Sequence, residues 1–228
     1  MKTILRLTNL VKKIISLPNR SLSKKKIKKL IAKKNPVIFE IGCANGDDTL
    51  DFINTFAGTN LMLYGFEPEP YNIKIIKDRV SQDNFELFEG AISEVDGNIT
   101  FNRSRTDNPE DLRLSGSIMS PKNHLKIWDW IHFDEKVTVK SISLDSFVKS
   151  KNIDTIDFIW MDVQGAEERV IRGGLKIFTS KVRFLFTEYS DDEQYDGQPS
   201  LQKILDMLPS FELVHNYGPD VLLRNKNL

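Results

Sequence analysis

The sequence predicts an α/β fold: a doubly wound, mostly parallel sheet that follows a basic helical extension. From Val37 onward, apolar runs of strand length alternate with segments of helical periodicity, as they do in βαβ units. Two of these runs, residues 37–41 and 61–66, end in turns that carry glycine, proline and acidic residues. Ligands of such folds bind outside the carboxyl ends of the strands, so we expect the functional site at these turns.

The first turn combines two glycines with acidic residues. Gly42 and Gly46 allow a sharp turn and a close approach of the backbone to a ligand, and Asp47 and Asp48 suit the first turn of a helix. The acids disfavour a pyrophosphate and favour a positively charged cofactor. The pattern E-x-G-x-x-x-G, which starts at Glu40, resembles motif I of the class I S-adenosylmethionine (SAM) methyltransferases. The alternative is an ordinary glycine-containing turn between a strand and a helix.

The second strand ends at Glu67, about twenty residues after the glycine turn. An acid at this place can accept hydrogen bonds from both ribose hydroxyls of a nucleotide. Pro68 stiffens the loop that follows. The alternative is a solvated acid at a strand end.

A third strand, residues 85–88, leads into a turn at residues 90–92, which we expect beside the adenine of a bound nucleotide. Asp96 and Gly97 then predict a hairpin that connects this region to a strand at residues 98–101. Three strand ends would thus border one crevice.

The composition fits one globular domain with an N-terminal extension, because the chain has 228 residues and 40% of them are hydrophobic. Its one cysteine, Cys43, cannot form an intramolecular disulfide and fits a reducing compartment. We expect Cys43 to be a small buried residue rather than a nucleophile. No apolar run is long enough to span a bilayer, and no signal-peptide core follows Met1. We therefore expect a cytoplasmic protein.

Charge is distributed unevenly along the chain. Residues 1–34 hold twelve Lys/Arg and no acid, which leaves twenty basic residues against thirty-two acids in the remainder. Apolar residues at helical spacing predict two basic amphipathic helices, one on each side of Pro18. The extension is open to two main interpretations: packing of its apolar stripe on the domain, or attachment to a membrane surface. We expect no nucleic-acid binding, because the domain lacks a basic face and the extension lacks interleaved aromatic residues.

Residues 102–135 form a long polar segment, which we interpret as an insertion on the substrate side of the domain. Trp128 and Trp130 argue against disorder. Aromatic rings among Arg, Asn and His side chains suit a sugar-like ligand, and a plain packing role for the tryptophans is the equal alternative. His124 and His132 are candidates for a general base, and the alternative for each is an ordinary surface histidine.

Two later strands also end in acids. The strand predicted at residues 156–161 ends at Asp162, and the one at residues 182–186 is followed by Glu188. Both acids should face the same cleft as Glu67. A single helix is predicted from Glu167 past Phe178, with Leu175 on its inner face. The other predicted elements are strands at 137–142, 211–216 and 220–224 and helices at 71–80, 144–151 and 201–208.

Three blocks of the chain resemble the FkbM-type SAM-dependent methyltransferases. The first is the turn at residues 40–49, and the second is Phe66-Glu-Pro-Glu-Pro70. The third comprises Leu144-Asp-Ser-Phe147, Met161-Asp-Val-Gln-Gly-Ala-Glu167 and Phe186-Thr-Glu188. The resemblance covers roughly residues 35–190 and implies the Rossmann-like, seven-stranded sheet of class I SAM methyltransferases.

The resemblance implies an activity and a set of site residues. Members are O-methyltransferases that act on hydroxyls of sugars, glycans or polyketides, and we expect a sugar or glycan acceptor. The expected catalytic residues are Asp162, as the base or as an orienting ligand, assisted by Glu188, His132 and His124. The alternative for Asp162 is a cap of the helix that follows. The expected cofactor contacts lie at the strand ends and are Glu40, Gly42, Cys43, Gly46, Asp48, Thr49, Glu67, Pro68, Ala91, Ile92 and Asp162.

Two positions depart from the family pattern. The family usually has Gly-Ala-Asn in the first turn, whereas Asn45 is displaced by one position here. This displacement leaves SAM binding intact. The family usually has Glu where this chain has Gln164. The change removes a carboxylate from the substrate side, so the need for a divalent metal is left open.

Two rival functions differ from methyl transfer. An NAD-type oxidoreductase needs a G-x-G-x-x-G turn and a catalytic Tyr/Lys pair or His, which the spacing does not provide. A non-catalytic module, tethered by the extension to a membrane or a larger enzyme, has no need for intact acids and glycines at the strand ends. Turnover of SAM with a glycan acceptor separates the methyltransferase from the non-catalytic module.

Overall fold

The computed structural model describes residues 22–108, 111 and 113–228. The strands of this part of the chain are β1 (Val37–Ile41), β2 (Met62–Glu67), β3 (Phe85–Glu89), β4 (Ala91–Ile92), β5 (Gly97–Arg105), β6 (His132–Ile142), β7 (Ile156–Met161), β8 (Val182–Glu188), β9 (Phe211–Asn216) and β10 (Asp220–Asn225). Its helices are α1 (Lys24–Ile31), α2 (Asp47–Thr55), α3 (Pro70–Arg79), α4 (His124–Ile127), α5 (Leu144–Ser150), α6 (Glu167–Arg172), α7 (Leu175–Lys181) and α8 (Leu201–Met207).

The main sheet has seven strands in the order β3-β2-β1-β7-β8-β10-β9, which confirms the predicted doubly wound fold. The first five strands in this order, β3, β2, β1, β7 and β8, pair in parallel. The antiparallel hairpin of β9 and β10 adds the edge beside β8. Ile41 lies beside Phe66 on one side and Met161 on the other. Because these residues end or nearly end their strands, the turns that follow β1, β2 and β7 are neighbours in space.

A second sheet of three strands has the order β4-β6-β5. The predicted hairpin between residues 91–93 and 98–101 is therefore wrong, since β6 lies between the two strands and pairs with both. Asp96 does not serve a hairpin turn. Its two carboxylate oxygens accept hydrogen bonds from the Ser143 N–H and the Ser146 hydroxyl, each at 2.6 Å. These bonds fix the start of α5, as a capping residue does.

The insertion is shorter than predicted, because β5 continues to Arg105 and β6 already begins at His132. The irregular segment thus spans residues 106–131 and contains only the short helix α4 among the residues described.

The helix predicted from Glu167 past Phe178 is also wrong, because it is two helices, α6 and α7. Gly173 separates them. A Cβ atom at this position would overlap the carbonyl oxygen of Ser93, so only glycine fits here. The break turns Leu175 outward, and its side chain is exposed rather than on the predicted inner face.

The second predicted basic helix is confirmed as α1, and its apolar stripe packs on the domain. Leu22, Ile27 and Ile31 are buried in one cluster with residues from β1, β2, β7 and α2. The first predicted helix lies in residues 1–21, outside the described part of the chain. No helix in residues 22–108 or 113–228 is long and apolar enough to cross a membrane.

We expect Ile27→Val to lower the free energy of unfolding by about 1 kcal/mol, because it removes one methylene from a fully buried side chain. The matched control is Ile127→Val, which makes the same deletion at a side chain that is 50% exposed and should change stability by less than about 0.5 kcal/mol. Urea unfolding measures both. Equal stability of the two variants would show that α1 does not share the core of the domain in solution.

Candidate active site

A cavity lies at the carboxyl ends of the central strands, where the sequence predicts the site. Together with its open mouth it encloses about 620 Å³. The turns after β1, β2, β3 and β7 form its walls, and residues 113–118 of the insertion cover it. Six predicted cofactor contacts line it: Gly42, Glu67, Pro68, Ala91, Ile92 and Asp162.

Gly42 brings the backbones of the three central strands together at the base of this cavity. Its φ is +96°, and its N–H donates to the carbonyl of Phe66 at 3.0 Å. The Asp162 N–H donates to the carbonyl of Ile41 at 3.0 Å. A Cβ atom at position 42 would overlap the Asp162 carbonyl oxygen. Glycine is thus required here both for its positive φ and for the close approach of two chain segments.

Glu67 is fixed in the cavity wall as a hydrogen-bond acceptor. Its Oε2 accepts from the N–H of Ala44 at 2.8 Å, and its Oε1 accepts from the N–H of Glu69 at 2.9 Å. Burial raises the pKa of Glu67 to about 7. Each carboxylate oxygen has a further lone pair, so the side chain can still accept the two hydroxyl protons of a ribose.

Asn72 and Arg113 line the cavity without having been predicted, because no local pattern marks them as ligands. Asn72 lies in α3, is 2% exposed and donates its Nδ2 to the Arg113 carbonyl at 2.9 Å. Its Oδ1 is buried and has no donor among the residues described. A buried, unsatisfied amide oxygen costs free energy. A hydroxyl or amino group of a bound ligand would remove that cost.

The other five predicted cofactor contacts are not among the residues that line this cavity. Glu40 is fully buried, and its Oε2 accepts from the Thr49 hydroxyl at 2.7 Å. Burial raises the pKa of Glu40 to about 8. Cys43 is buried in a small apolar cluster beneath the turn, and its carbonyl accepts from the Gly46 N–H at 2.8 Å. Asp48 forms an ion pair with α1 at 2.6 Å. The structure thus gives these residues supporting positions around the turn.

Asp162 opens onto the cavity at the end of β7. Its Oδ1 accepts from Gln164 Nε2 at 2.7 Å. The Tyr195 hydroxyl has one proton to donate and lies 2.7 Å from the Ser115 carbonyl and 3.0 Å from Gln164 Oε1. The protein around Asp162 raises its pKa by burial, and the Gln164 hydrogen bond opposes that shift. The helix α6 begins without a side-chain cap, so Asp162 does not have the alternative role of a helix cap. Gln164 and Tyr195 instead hold the carboxylate in one orientation.

Glu188 is a carboxyl group without a hydrogen-bond donor among the described residues. Asp220 lies opposite it on the neighbouring antiparallel strand β10, so the two side chains share one face of the sheet. Burial raises the pKa of Glu188 to about 9, and the nearby carboxylates of Asp162, Glu167 and Asp220 add to the shift. A positive charge bound beside this group of acids would be stabilised by them.

A second cavity adjoins the first, and the two share Leu114 and Gln164 in their walls. We call it the adjoining cavity. It encloses about 1070 Å³ with its open mouth. Its polar lining residues with hydrogen-bonding side chains are Ser104, Arg105, Thr106, Ser115, His124, Gln164, Glu188 and Gln194. Trp128 and Trp130 also line it, with ring centroids 5.2 Å apart and rings nearly perpendicular.

The two candidate histidines have different surroundings. His124 lines the adjoining cavity, is 3% exposed, and packs against the rings of Phe133 and Tyr195. Its Nδ1 has no hydrogen-bond partner among the residues described, and burial lowers its pKa. His132 lies outside the lining of both cavities, with its Nε2 3.1 Å from Asp107 Oδ1. The structure thus brings His124, but not His132, into the same cavity as Glu188.

The residues of the first cavity suit a cofactor that carries a ribose and a positive charge. Glu67 offers acceptors for ribose hydroxyls, Asn72 offers an unsatisfied buried oxygen, and Gly42 allows the turn after β1 to approach the end of β7 at the base of the cavity. Asp162 and the carboxyl groups near it favour a cation. Among the described residues, no group of three or more His, Cys, Asp or Glu side chains is arranged to hold a metal ion.

The chain resembles known proteins in both sequence and fold. Residues 40–218 match the family described as Methyltransferase FkbM domain. The chain is 43% identical over 210 residues to 2-O-methyltransferase NoeI from Sinorhizobium fredii (strain NBRC 101917 / NGR234), over 90% of this chain and 85% of that relative. Its fold is similar to the crystal structure of methyltransferase FkbM from Methylobacillus flagellatus KT, with a TM-score of 0.50 and 15% identity. That match covers 84% of this chain and 44% of the other, so this chain spans less than half of that protein's length.

Proposed function

Because the chain belongs to the FkbM methyltransferase family, we propose that it transfers the methyl group of SAM to a hydroxyl of a sugar or glycan. The chain is a SAM-dependent O-methyltransferase, and the proposal concerns its acceptor and the roles of its residues. The observation that carries the acceptor proposal is the adjoining cavity, in which two tryptophans stand among many polar side chains.

The residues of the first cavity would hold the cofactor. We place the ribose on Glu67, the adenine beside Ala91 and Ile92, and the methionine part near Gly42 and Asp162. When bound, SAM supplies a methyl group on a positively charged sulfur, and transfer leaves S-adenosyl-L-homocysteine. The protein therefore has to align the acceptor oxygen and accept its proton.

The adjoining cavity matches the surface chemistry of a saccharide. Sugar C–H faces pack on aromatic rings, and sugar hydroxyls need many hydrogen-bond partners. Trp130 is 51% exposed, which is a large exposed fraction for a tryptophan without a ligand. The relative named 2-O-methyltransferase is consistent with a hydroxyl acceptor. A non-sugar hydroxyl compound of similar size is the alternative substrate.

Two carboxyl groups compete for the role of the base. Asp162 is already engaged by Gln164, whereas Glu188 has no donor among the described residues and lies in the cavity that we assign to the acceptor. We infer that Glu188 accepts the proton of the acceptor hydroxyl, while Asp162 orients the reacting groups and steadies the positive charge of the cofactor. This order differs from the sequence-based expectation, which favours Asp162 as the base.

The acceptor is tested by methyl transfer from isotopically labelled SAM to a panel of mono- and oligosaccharides. The control acceptors are the same sugars with single hydroxyls removed. Phenolic and aliphatic alcohols represent the alternative, non-sugar substrates. We expect turnover with at least one saccharide and none with its analogue that lacks the methylated hydroxyl. Transfer only to the non-sugar alcohols would replace the sugar with the alternative substrate.

We expect Glu67→Gln to weaken binding of S-adenosyl-L-homocysteine by about 10- to 100-fold, because hydrogen bonds to a charged group contribute about 1.5–3 kcal/mol. Isothermal titration calorimetry measures the dissociation constants. The control ligand is the analogue whose ribose lacks both hydroxyls, and for it the substitution should matter much less. Equal losses with both ligands would mean that Glu67 supports the Ala44 turn and does not contact the ribose.

A further inference from the structure

The outer side of α1 and the end of β9 form a surface that the methyl-transfer site does not use. We call it the basic face and define it by Lys25, Lys26, Lys29, Leu30 and Val214. A groove on this face is lined by Lys26, Lys29, Leu30, Val214, His215 and Tyr217, together with the buried side chains of Leu22 and Leu222. None of these lining residues is acidic.

The lysines of α1 fall into two groups. Lys24 and Lys28 turn toward the domain, where Lys24 pairs with Asp48 at 2.6 Å and Lys28 donates to the Thr55 carbonyl at 2.7 Å. Lys25, Lys26 and Lys29 are exposed and form no ion pair with the described part of the chain. Their charges therefore stay uncompensated, and they favour an anionic partner.

Exposed apolar side chains line the same groove as Lys26 and Lys29. Leu30 is 37% exposed and Val214 is 45% exposed, and both line the groove. Their neighbour Leu213 is 44% exposed. A surface that combines free lysines with exposed aliphatic side chains suits the headgroup region of a bilayer, which offers negative charge outside and hydrocarbon beneath.

Residues 1–21 precede the basic face in the chain, and their charge argues against them as its occupant. They contain five Lys/Arg and no acid, so they cannot neutralise the lysines of α1. Because residues 1–21 and the exposed lysines of α1 are both positively charged, one extended anionic surface can bind both. A nucleic acid would also be anionic, but it would leave Leu30 and Val214 exposed. The ring of Tyr217 packs against Phe186 and His215 and is not free to stack on bases.

We propose that the basic face docks the enzyme on the surface of an anionic lipid bilayer. Each lysine near such a surface contributes about fivefold to the partition coefficient, so the three together contribute about a hundredfold. The contribution should fall as salt screens the charges. Docking would hold the enzyme beside acceptors that are carried at or near a membrane.

The test is co-sedimentation of the full chain with vesicles of phosphatidylglycerol and phosphatidylcholine, and with vesicles of phosphatidylcholine alone. The variant K25Q/K26Q/K29Q removes the charges of the basic face. The matched control K74Q/K176Q/K226Q removes three exposed lysines elsewhere on the surface. Thermal melting and S-adenosyl-L-homocysteine affinity show that both variants are folded.

We expect the unaltered protein and the control to bind the anionic vesicles in a salt-dependent way and not to bind phosphatidylcholine. The basic-face variant should bind about a hundredfold more weakly. Absence of binding by the unaltered protein at low salt would overturn the proposal, and so would equal binding by the two variants. Tighter binding to poly(U) RNA than to anionic vesicles, lost in the same variant, would assign the face to nucleic acid instead.

Discussion

Replacing Gly42 by alanine is expected to weaken cofactor binding by at least about a hundredfold and to lower the free energy of unfolding by about 3 kcal/mol. A left-handed backbone costs a non-glycine residue about 1–2 kcal/mol. The new Cβ atom would in addition overlap the Asp162 carbonyl oxygen, and overpacking of this kind costs about 1–3 kcal/mol. To relieve the overlap, the turn after β1 must move away from the end of β7. Both belong to the wall of the cofactor cavity.

The chain offers a matched control for this substitution. Gly58 has φ +81°, close to that of Gly42, but a Cβ atom there would meet nothing within 4 Å. Gly58→Ala should therefore cost only the backbone strain, about 1–2 kcal/mol, with unchanged cofactor affinity. Urea unfolding gives the stabilities, and calorimetric titration with S-adenosyl-L-homocysteine gives the affinities. We expect Gly42→Ala to bind at least about a hundredfold more weakly, which corresponds to about 2.7 kcal/mol. Similar cofactor affinities of the two variants would show that the Gly42 turn does not contribute to cofactor binding.

Replacing Glu188 by glutamine is expected to reduce kcat by at least about a hundredfold and to leave cofactor affinity nearly unchanged. Removal of a general base typically costs 10²- to 10⁴-fold or so in rate. Glutamine keeps the size and polarity of the side chain but cannot take a proton from the acceptor hydroxyl. Single-turnover kinetics with labelled SAM measures the chemical step. Thermal melting shows whether the variant is folded.

Two further variants distinguish Glu188 from the carboxyl groups around it. Asp220→Asn removes the acid that lies opposite Glu188 on β10, and it should leave kcat within about threefold because Asp220 is not the base. Asp162→Asn should lower both kcat and cofactor affinity, since we place Asp162 beside the positive charge. If Asp162→Asn loses the chemical step while it binds the cofactor normally, and Glu188→Gln remains active, Asp162 is the base.

The pH dependence gives an independent measure of the same assignment. Burial and the neighbouring carboxylates raise the pKa of Glu188 to about 9 in the unliganded protein, so the carboxyl is protonated at neutral pH and becomes a base as pH rises. We expect kcat/KM for SAM to rise with pH up to about 9. The positive charge of the bound cofactor favours the ionised carboxylate, so the rise in kcat should occur at lower pH. Asp220→Asn should shift both curves to lower pH, and Glu188→Gln should remove the rise.

The local patterns of the sequence predict much of the fold and part of the site. The strands β1, β2 and β7 are mostly apolar runs with one acid each, and such runs mark strands that are buried on both faces. Gly42 and Glu67 are identified because a glycine turn and an acid after the next strand have fixed chain spacing in nucleotide-binding folds. Spacing along the chain carries this information, so one sequence is sufficient to find it.

Other features depend on contacts between distant parts of the chain. One is the insertion of β6 between β4 and β5. Another is the contact between the Ser93 carbonyl and Gly173, where the predicted helix is divided in two. No local sequence pattern contains either contact. The unsatisfied oxygen of Asn72 arises for the same reason, because its amide is bonded to Arg113 in the insertion. Side-chain roles that depend on such partners become visible only in three dimensions.

The sequence by itself determined the α/β class, the glycine turn and the acids that follow the strands, because these follow from periodicity and spacing. The tertiary structure alone decided how those acids differ from one another. Gln164 donates a hydrogen bond to Asp162, while Glu188 lies opposite Asp220 and has no donor in the described part of the chain. Hydrogen bonding and the charge of neighbours set the proton affinity of a carboxyl group, and both depend on which residues the fold brings together.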